Sequence, residues 1–206
     1  MRDRKTWVLV LMFGSMWGFS EVFAGEFLYA HGVPRASIWL SAFALFILGF
    51  ARGLVNRPGS STLIGALAAL FKLVNAAPFW CHLLGIVFIG LVFDLGATLW
   101  MKRGQRRNLQ AALTGVVTAY GGYALFAITI TYVARFEPWL RGGLPRIMEH
   151  IFVGGSLAAI VGAVLVPVGY KLGLKSETTV EGRRDWAFAG SLVVLVLLWT
   201  LGRVIG

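Results

Sequence analysis

The chain is short of most things that build a soluble domain. Charged residues fill only 14% of its 206 positions, and acidic ones are the scarcer kind, nine against nineteen lysines and arginines. The hydrophobic share of 58% and a mean hydropathy of +0.77 are too high for an ordinary soluble domain of this length. Lipid must therefore cover much of the apolar surface. The single cysteine, Cys81, excludes an intrachain disulfide. Short motifs of enzyme and nucleotide chemistry are missing as well: there is no G-x-x-x-x-G-K-[ST] phosphate cradle, no G-x-S-x-G elbow, no C-x-x-C and no H-E-x-x-H. No apolar stretch carries two carboxylates three or four residues apart, since Glu21 and Glu26 stand five apart. The expectation is a chain that is not an enzyme and binds no cofactor of its own.

What is present is a series of seven apolar stretches, residues 6–28, 37–55, 61–77, 80–101, 109–133, 147–172 and 186–205. Each reaches across roughly 30 Å of hydrocarbon at about 1.5 Å per helical residue, the third only marginally. The expected fold class is an all-α integral membrane protein, a polytopic bundle of six to seven transmembrane helices. It would form one domain over residues 1–206, with a core bundle at 6–172 and an extra C-terminal span at 186–205. The basic start followed by an apolar run mimics a secretory signal, but the run is long, contains Glu21 and lacks a small-residue cleavage site. It reads as a retained helix. Residues 134–146 and 174–185 read as connectors, too short to fold separately.

A net charge of +10 would suggest nucleic acid in a soluble protein, but here the basic residues alternate between rich and poor loops. With the N-terminus in the cytoplasm, thirteen basic residues fall inside, among them Arg52, Arg57 and the cluster Lys102 to Arg107. Five fall outside, Arg35, Arg135, Arg141, Arg146 and Arg203, and Lys72 is left within a span. The expectation is an N-terminus-in, multi-pass protein of the cell inner membrane that binds no nucleic acid.

Small residues recur four apart, as helices packing closely in lipid require. The first span has Gly14 and Gly18, with Ser20 and Ala24 beyond them; the fifth has Ala111, Gly115 and Ala119; the sixth has Gly154, Ala158 and Gly162 beside Gly155, Ala159 and Ala163.

From Arg57 to Met101 the text reads RPGSSTLIGALAALFKLVNAAPFWCHLLGIVFIGLVFDLGATLWM, followed by the basic KRGQRR. An Arg-Pro-Gly entry, a short small-residue helix and a second helix with GLVFDLG resemble the middle of the substrate-capture (S) components of energy-coupling-factor (ECF) vitamin transporters, especially the thiamine-precursor branch. The later GGSLAAIVGAVLVPVGYKLG is similar to their final helix, so the resemblance covers about residues 50–172. It implies a six-helix bundle that captures a vitamin or precursor from outside and works with a coupling membrane subunit and paired ATPases, which use the ATP. It also implies a docking face on the first helix, a role that Gly14, Gly18, Ser20 and Ala24 take here by spacing. A seventh span departs from that plan.

Ionisable groups in hydrocarbon are costly and mark function by default. Glu21, Lys72 and Asp94 qualify, and Glu21 with Lys72 is the depth-matched charge pair, while Asp94 is expected to hydrogen-bond near the cytoplasmic interface. His31, His82 and His150 all fall on the predicted outer side, with Glu26, Cys81 and Glu149 at similar depth, a set suited to a transition metal or a polar ligand head. Trp80, Tyr132, Phe136 and Trp139 read as an interfacial aromatic belt. Tyr120 and Tyr123 lie deeper, where a phenol needs a partner, and suit a cavity that stacks a flat ring.

The expected function is therefore a membrane-embedded small-molecule capture component of an ATP-driven uptake transporter. Its ligand-binding residues would be Glu21, Glu26, His82, Tyr120, Tyr123 and His150. Two other readings stand beside it: a metal permease or heme- or quinone-binding subunit using the outer histidines, and a non-transporting scaffold of a membrane complex.

Overall fold

The computed structural model describes residues 2–75, 80–101, 107–182 and 184–205. Within them the chain is helical and has no strand: α1 (Arg2–Ala30), α2 (Ala36–Leu54), α3 (Ser60–Asn75), α4 (Trp80–Trp100), α5 (Arg107–Ile128), α6 (Glu137–Met148), α7 (Gly155–Gly182) and α8 (Arg184–Ile205). Two π-helical turns, Thr129–Val133 after α5 and Glu149–Gly154 between α6 and α7, complete the course. Helices are what such runs form where no water is present to satisfy backbone N–H and C=O groups.

Five described helical runs are long and apolar enough to cross a membrane: Thr6–Ala30, Ala36–Leu54, Trp80–Trp100, Asn108–Val133 and Glu137–Ser176. Ser60–Val74 and Ala189–Val204 are shorter apolar helices. Large apolar side chains such as Trp39, Leu99, Ile160 and Val164 point outward. A lipid-facing exterior accounts for them, and the chain is an α-helical protein of membrane-embedded type.

Two local expectations change. Residues 137–148 are helical rather than a connector. Pro138 sits in the first turn, where its missing N–H has no intrahelical partner to lose, and Gly143 at φ 55° and ψ −153° supplies a sharp bend before Pro145. The connector read at 174–185 is helical through Gly182. Arg52 lies in α2, within the expected stretch 37–55, and is 1% exposed. The basic cluster at 102–106, and Arg183, lie outside the described residues.

The helices close into a ring in which α1 packs on α3, α3 on α4, α4 on α5, α5 on α7, α7 on α2 and α2 back on α1. Glycines set the close approaches. A Cβ at Gly49 would stand 2.7 Å from the Val166 carbonyl oxygen, and one at Gly169 would stand 2.5 Å from that of Phe46. Gly53 and Gly173 extend this α2–α7 seam one turn further, and Gly115 of α5 meets Gly162 of α7 backbone to backbone.

Gly14 and Gly18 make close contacts inside the chain, a packing role that their spacing also suits. A Cβ at Gly14 would lie 2.8 Å from Leu67, and one at Gly18 would run into Phe71 and stand 3.0 Å from the Ala68 carbonyl oxygen. Ser20 donates its hydroxyl to the Trp17 carbonyl at 2.8 Å, and Ala24 is half-buried. α8 lies outside the ring against α1, where Trp199 Nε1 donates to Ser15 Oγ at 2.9 Å and its ring meets Phe71 edge-on at 4.7 Å.

Candidate functional site

Alternating helix directions bring the end of α1, the starts of α2 and α4, the end of α5 and the turn before α7 to one end of the ring. A cavity of about 100 Å³ opens there, among Glu21, Tyr29, Ser41, His82, Tyr123 and His150, with Ser37, Cys81 and Phe126 completing its polar and aromatic lining. An apolar cavity of about 150 Å³ holds benzene, so this one suits a group no larger than a single small ring unless side chains shift.

Its floor is an ion pair. Lys72 Nζ donates to Glu21 Oε2 at 3.3 Å and to the Glu21 carbonyl at 3.0 Å, while Trp17 Nε1 donates to Oε1 at 3.1 Å. Both charged side chains are more than nine-tenths buried. The depth-matched pair expected from the sequence thus forms, and Glu21 is its member that faces the cavity. Truncating one partner of a buried pair strands the other at a cost of about 3–5 kcal/mol. Glu21→Ala should lose stability on that scale in denaturant melts of the detergent-solubilised protein, and Lys72→Met added to it should restore most of the loss. Equal melts for the single and double variants would show that the stranded ammonium is not the cause.

Aromatic pairs form the walls. Tyr29 stacks on His82 with ring centres 5.4 Å apart and planes 10° from parallel, and Tyr123 stacks on His150 at 4.6 Å and 23°. The Tyr123 hydroxyl shares a hydrogen bond with Ser41 Oγ at 3.4 Å. Phe126, tilted, and Trp139, edge-on, also pack against the His150 ring at 5.3 and 5.1 Å.

Four of the six ligand-binding residues expected from the sequence, Glu21, His82, Tyr123 and His150, line this cavity; Glu26 and Tyr120 do not. Glu26 is exposed, and Tyr120 is spent on Ser156 Oγ at 2.8 Å. Nor do the three histidines converge. His31 is exposed and folds onto Phe27, its Nδ1 2.9 Å from the Phe27 carbonyl oxygen. Among the described residues no three histidine, cysteine or acidic side chains gather as a metal site would need. Trp139, read as part of the aromatic belt, is instead 8% exposed and packs with Ala127, Ile130 and Ile147. Tyr29, Ser37 and Ser41 were missed, although Ser37 and Ser41 stand four apart and so share a face of α2.

The opposite end of the ring carries a second polar cluster. Arg52 donates to Asp94 Oδ1 at 2.9 Å, to Thr98 Oγ1 at 2.9 Å and to the Arg57 carbonyl at 2.5 Å. Asp94 Oδ2 accepts the Gly59 N–H at 2.6 Å and the Thr62 hydroxyl at 3.3 Å. Asp94 does hydrogen-bond here, and its principal partner is Arg52, which the sequence had counted only among the basic residues of the inner side. The cluster ties the α2–α3 turn to α4 through these bonds, and the cavity at the other end, with its polar and aromatic lining, is the candidate site. Comparison with known proteins adds nothing to either end: no protein family, no curated protein and no solved structure matches the chain.

Proposed function

We propose that this chain is a membrane-embedded capture component for a small ring-bearing solute, of the vitamin or vitamin-precursor class, in an ATP-driven uptake system. The observation that carries the proposal is the cavity itself, two stacked aromatic pairs above a buried Glu21–Lys72 pair at one end of the ring. Stacked rings take a flat solute on its faces, and a few placed polar groups fix its orientation. No catalytic step is assigned to the chain. ATP would be used by partner ATPases joined through a coupling membrane subunit, because the sequence has no phosphate-cradling loop.

The basic segment 102–107 follows α4 at the end away from the cavity, so the positive-inside bias supports a cytoplasmic N-terminus and a cavity mouth on the outer face of the cell membrane. In a Cys81→Ser background, an impermeant thiol reagent applied to intact cells should modify Gly142→Cys and spare Gln105→Cys. The reverse pattern would turn the cavity to the cytoplasm and remove uptake from the proposal.

Binding is the direct test. The purified chain in nanodiscs should bind single-ring solutes, Tyr123→Phe should weaken binding about threefold to tenfold by removing the hydroxyl shared with Ser41, and Glu21→Gln should weaken it without unfolding the bundle. Co-purification with a membrane subunit and two ATPases would tie binding to transport. Two imidazoles, His82 and His150, face the same cavity, but space for no more than a single small ring does not admit a heme. A Soret band in the purified protein would overturn both that size limit and the capture proposal.

A further inference from the structure

Beside the cavity lies a second chamber of about 190 Å³, and the two share Ser37 and His150 in their walls. The outer one is formed by the start of α2, by α6 and by the π-helical turn before α7, and its charged lining residues are Arg35, Arg146 and Glu149. Two guanidinium groups against one carboxylate leave it net positive. The Arg35–Glu149 contact is loose, 3.9 Å between side chains that are 52% and 68% exposed, and such a pair is easily exchanged for a better one. The Arg146 guanidinium lies over the Trp139 ring, 4.9 Å from its centre, and donates one N–H to the Pro138 carbonyl at 2.9 Å. A guanidinium stacked on its face keeps in-plane donors for a bidentate acceptor. Trp139 meets His150 edge-on, and His150 stacks on Tyr123, so an unbroken row of planar groups leads from Arg146 into the inner cavity.

The backbone supplies an independent sign. Arg35 sits at φ 53° and ψ 46°, a left-handed conformation that suits glycine and strains a long side chain. Strain of this kind collects where a side chain is needed for something other than folding. Glu149 and His150 also open a π-helical turn, a feature that concentrates at functional sites.

We infer that the outer chamber is an anion subsite: the captured solute carries an acidic group, a carboxylate or a phosphate, held between Arg35 and Arg146 while its ring occupies the inner cavity. The inference rests on the capture reading and narrows its substrate class. Neither carboxylate nearby spoils it, because Glu21 is engaged with Lys72 at the floor and Glu149 is the group that the ligand displaces from Arg35.

The test uses three matched probes, benzoate, phenyl phosphate and benzamide, with the full chain in nanodiscs and equilibrium binding measured for each. At least one of the two acids should bind about tenfold or more tightly than the amide, and which acid does so separates a carboxylate from a phosphate ester. The acid-to-amide ratio should fall towards one in the Arg35→Gly/Arg146→Gln double variant. Arg35→Gly alone should shrink the ratio while melting no lower than the parent, because glycine accepts the left-handed backbone, so the loss is not one of folding. Equal binding of acids and amide by the parent chain, or a ratio that survives the double substitution, overturns the anion subsite and leaves the capture reading intact. Failure of all three probes to bind overturns both.

Discussion

Replacing Gly53 by leucine should prevent the bundle from assembling, and Gly173→Leu should do the same. At each position the space a side chain needs is filled by main chain of the facing helix: Gly53 lies against the Tyr170 carbonyl and Gly173 Cα, and Gly173 against the Phe50 carbonyl. A flexible side chain turns aside, but backbone in a helix does not, so α2 and α7 must separate along the whole seam. Overpacking a core costs about 1–3 kcal/mol, more when the backbone itself must move, and even Gly53→Ala should reach the upper part of that range. The measurement is the monodisperse yield from detergent and the melting temperature of what is recovered. Gly190→Ala is the control, since nothing lies within 4 Å of its added methyl, and it should stabilise slightly. A Gly53→Leu protein that melts with the parent would mean that the seam is not closed in the membrane.

Arg52→Met should be nearly as damaging. It leaves the buried Asp94 carboxylate without its counterion, a loss of about 3–5 kcal/mol, and also releases the Arg57 carbonyl and the Thr98 hydroxyl. Asp94→Leu strands the guanidinium in turn and takes the acceptor from the Gly59 N–H. Combining the two removes both stranded charges, so the double variant should be more stable than either single one yet short of the parent, because the Gly59 N–H and Thr62 still lack their acceptor. A double-mutant cycle on unfolding free energies reads this as a large favourable coupling. Additive losses would show that the two side chains act separately.

These two positions also show how far a sequence carries. The Gly49/Gly53 and Gly169/Gly173 rows have the same four-residue spacing as the rows singled out in the fifth and sixth spans, so their capacity for close packing was open to reading. Which helix each would meet was not. The same limit governs Gly14 and Gly18, whose spacing is equally suited to a partner outside the chain and to α3 within it. Arg52 was counted toward sidedness alone because positive charge near the end of an apolar run is the ordinary mark of the inner side, and only the fold brings Asp94 from 42 residues away to hold that charge within the bundle. Glu21 and Lys72 were paired correctly because depth along two spans can be counted from the sequence, and two opposite charges at one depth have few other partners in hydrocarbon.

The cavity divides along the same line. His82, Tyr123, His150 and Glu21 stood out because polar groups in apolar helices are rare enough to be noticed singly. Tyr29 and Ser41 are ordinary residues at a helix end and on a helix face, and acquire meaning only from what stands opposite. Glu26 and Tyr120 failed for the complementary reason: helical rotation points one outward and gives the other to Ser156. The sequence by itself determined the helical, membrane-type class and where the long apolar helices run, because these follow from hydrophobicity and the rise of a single helix. Ring order, the facing partner of each glycine row and the set of side chains around the cavity were decided by the tertiary structure, because azimuth about a helix axis becomes a contact only when a neighbouring helix is in place.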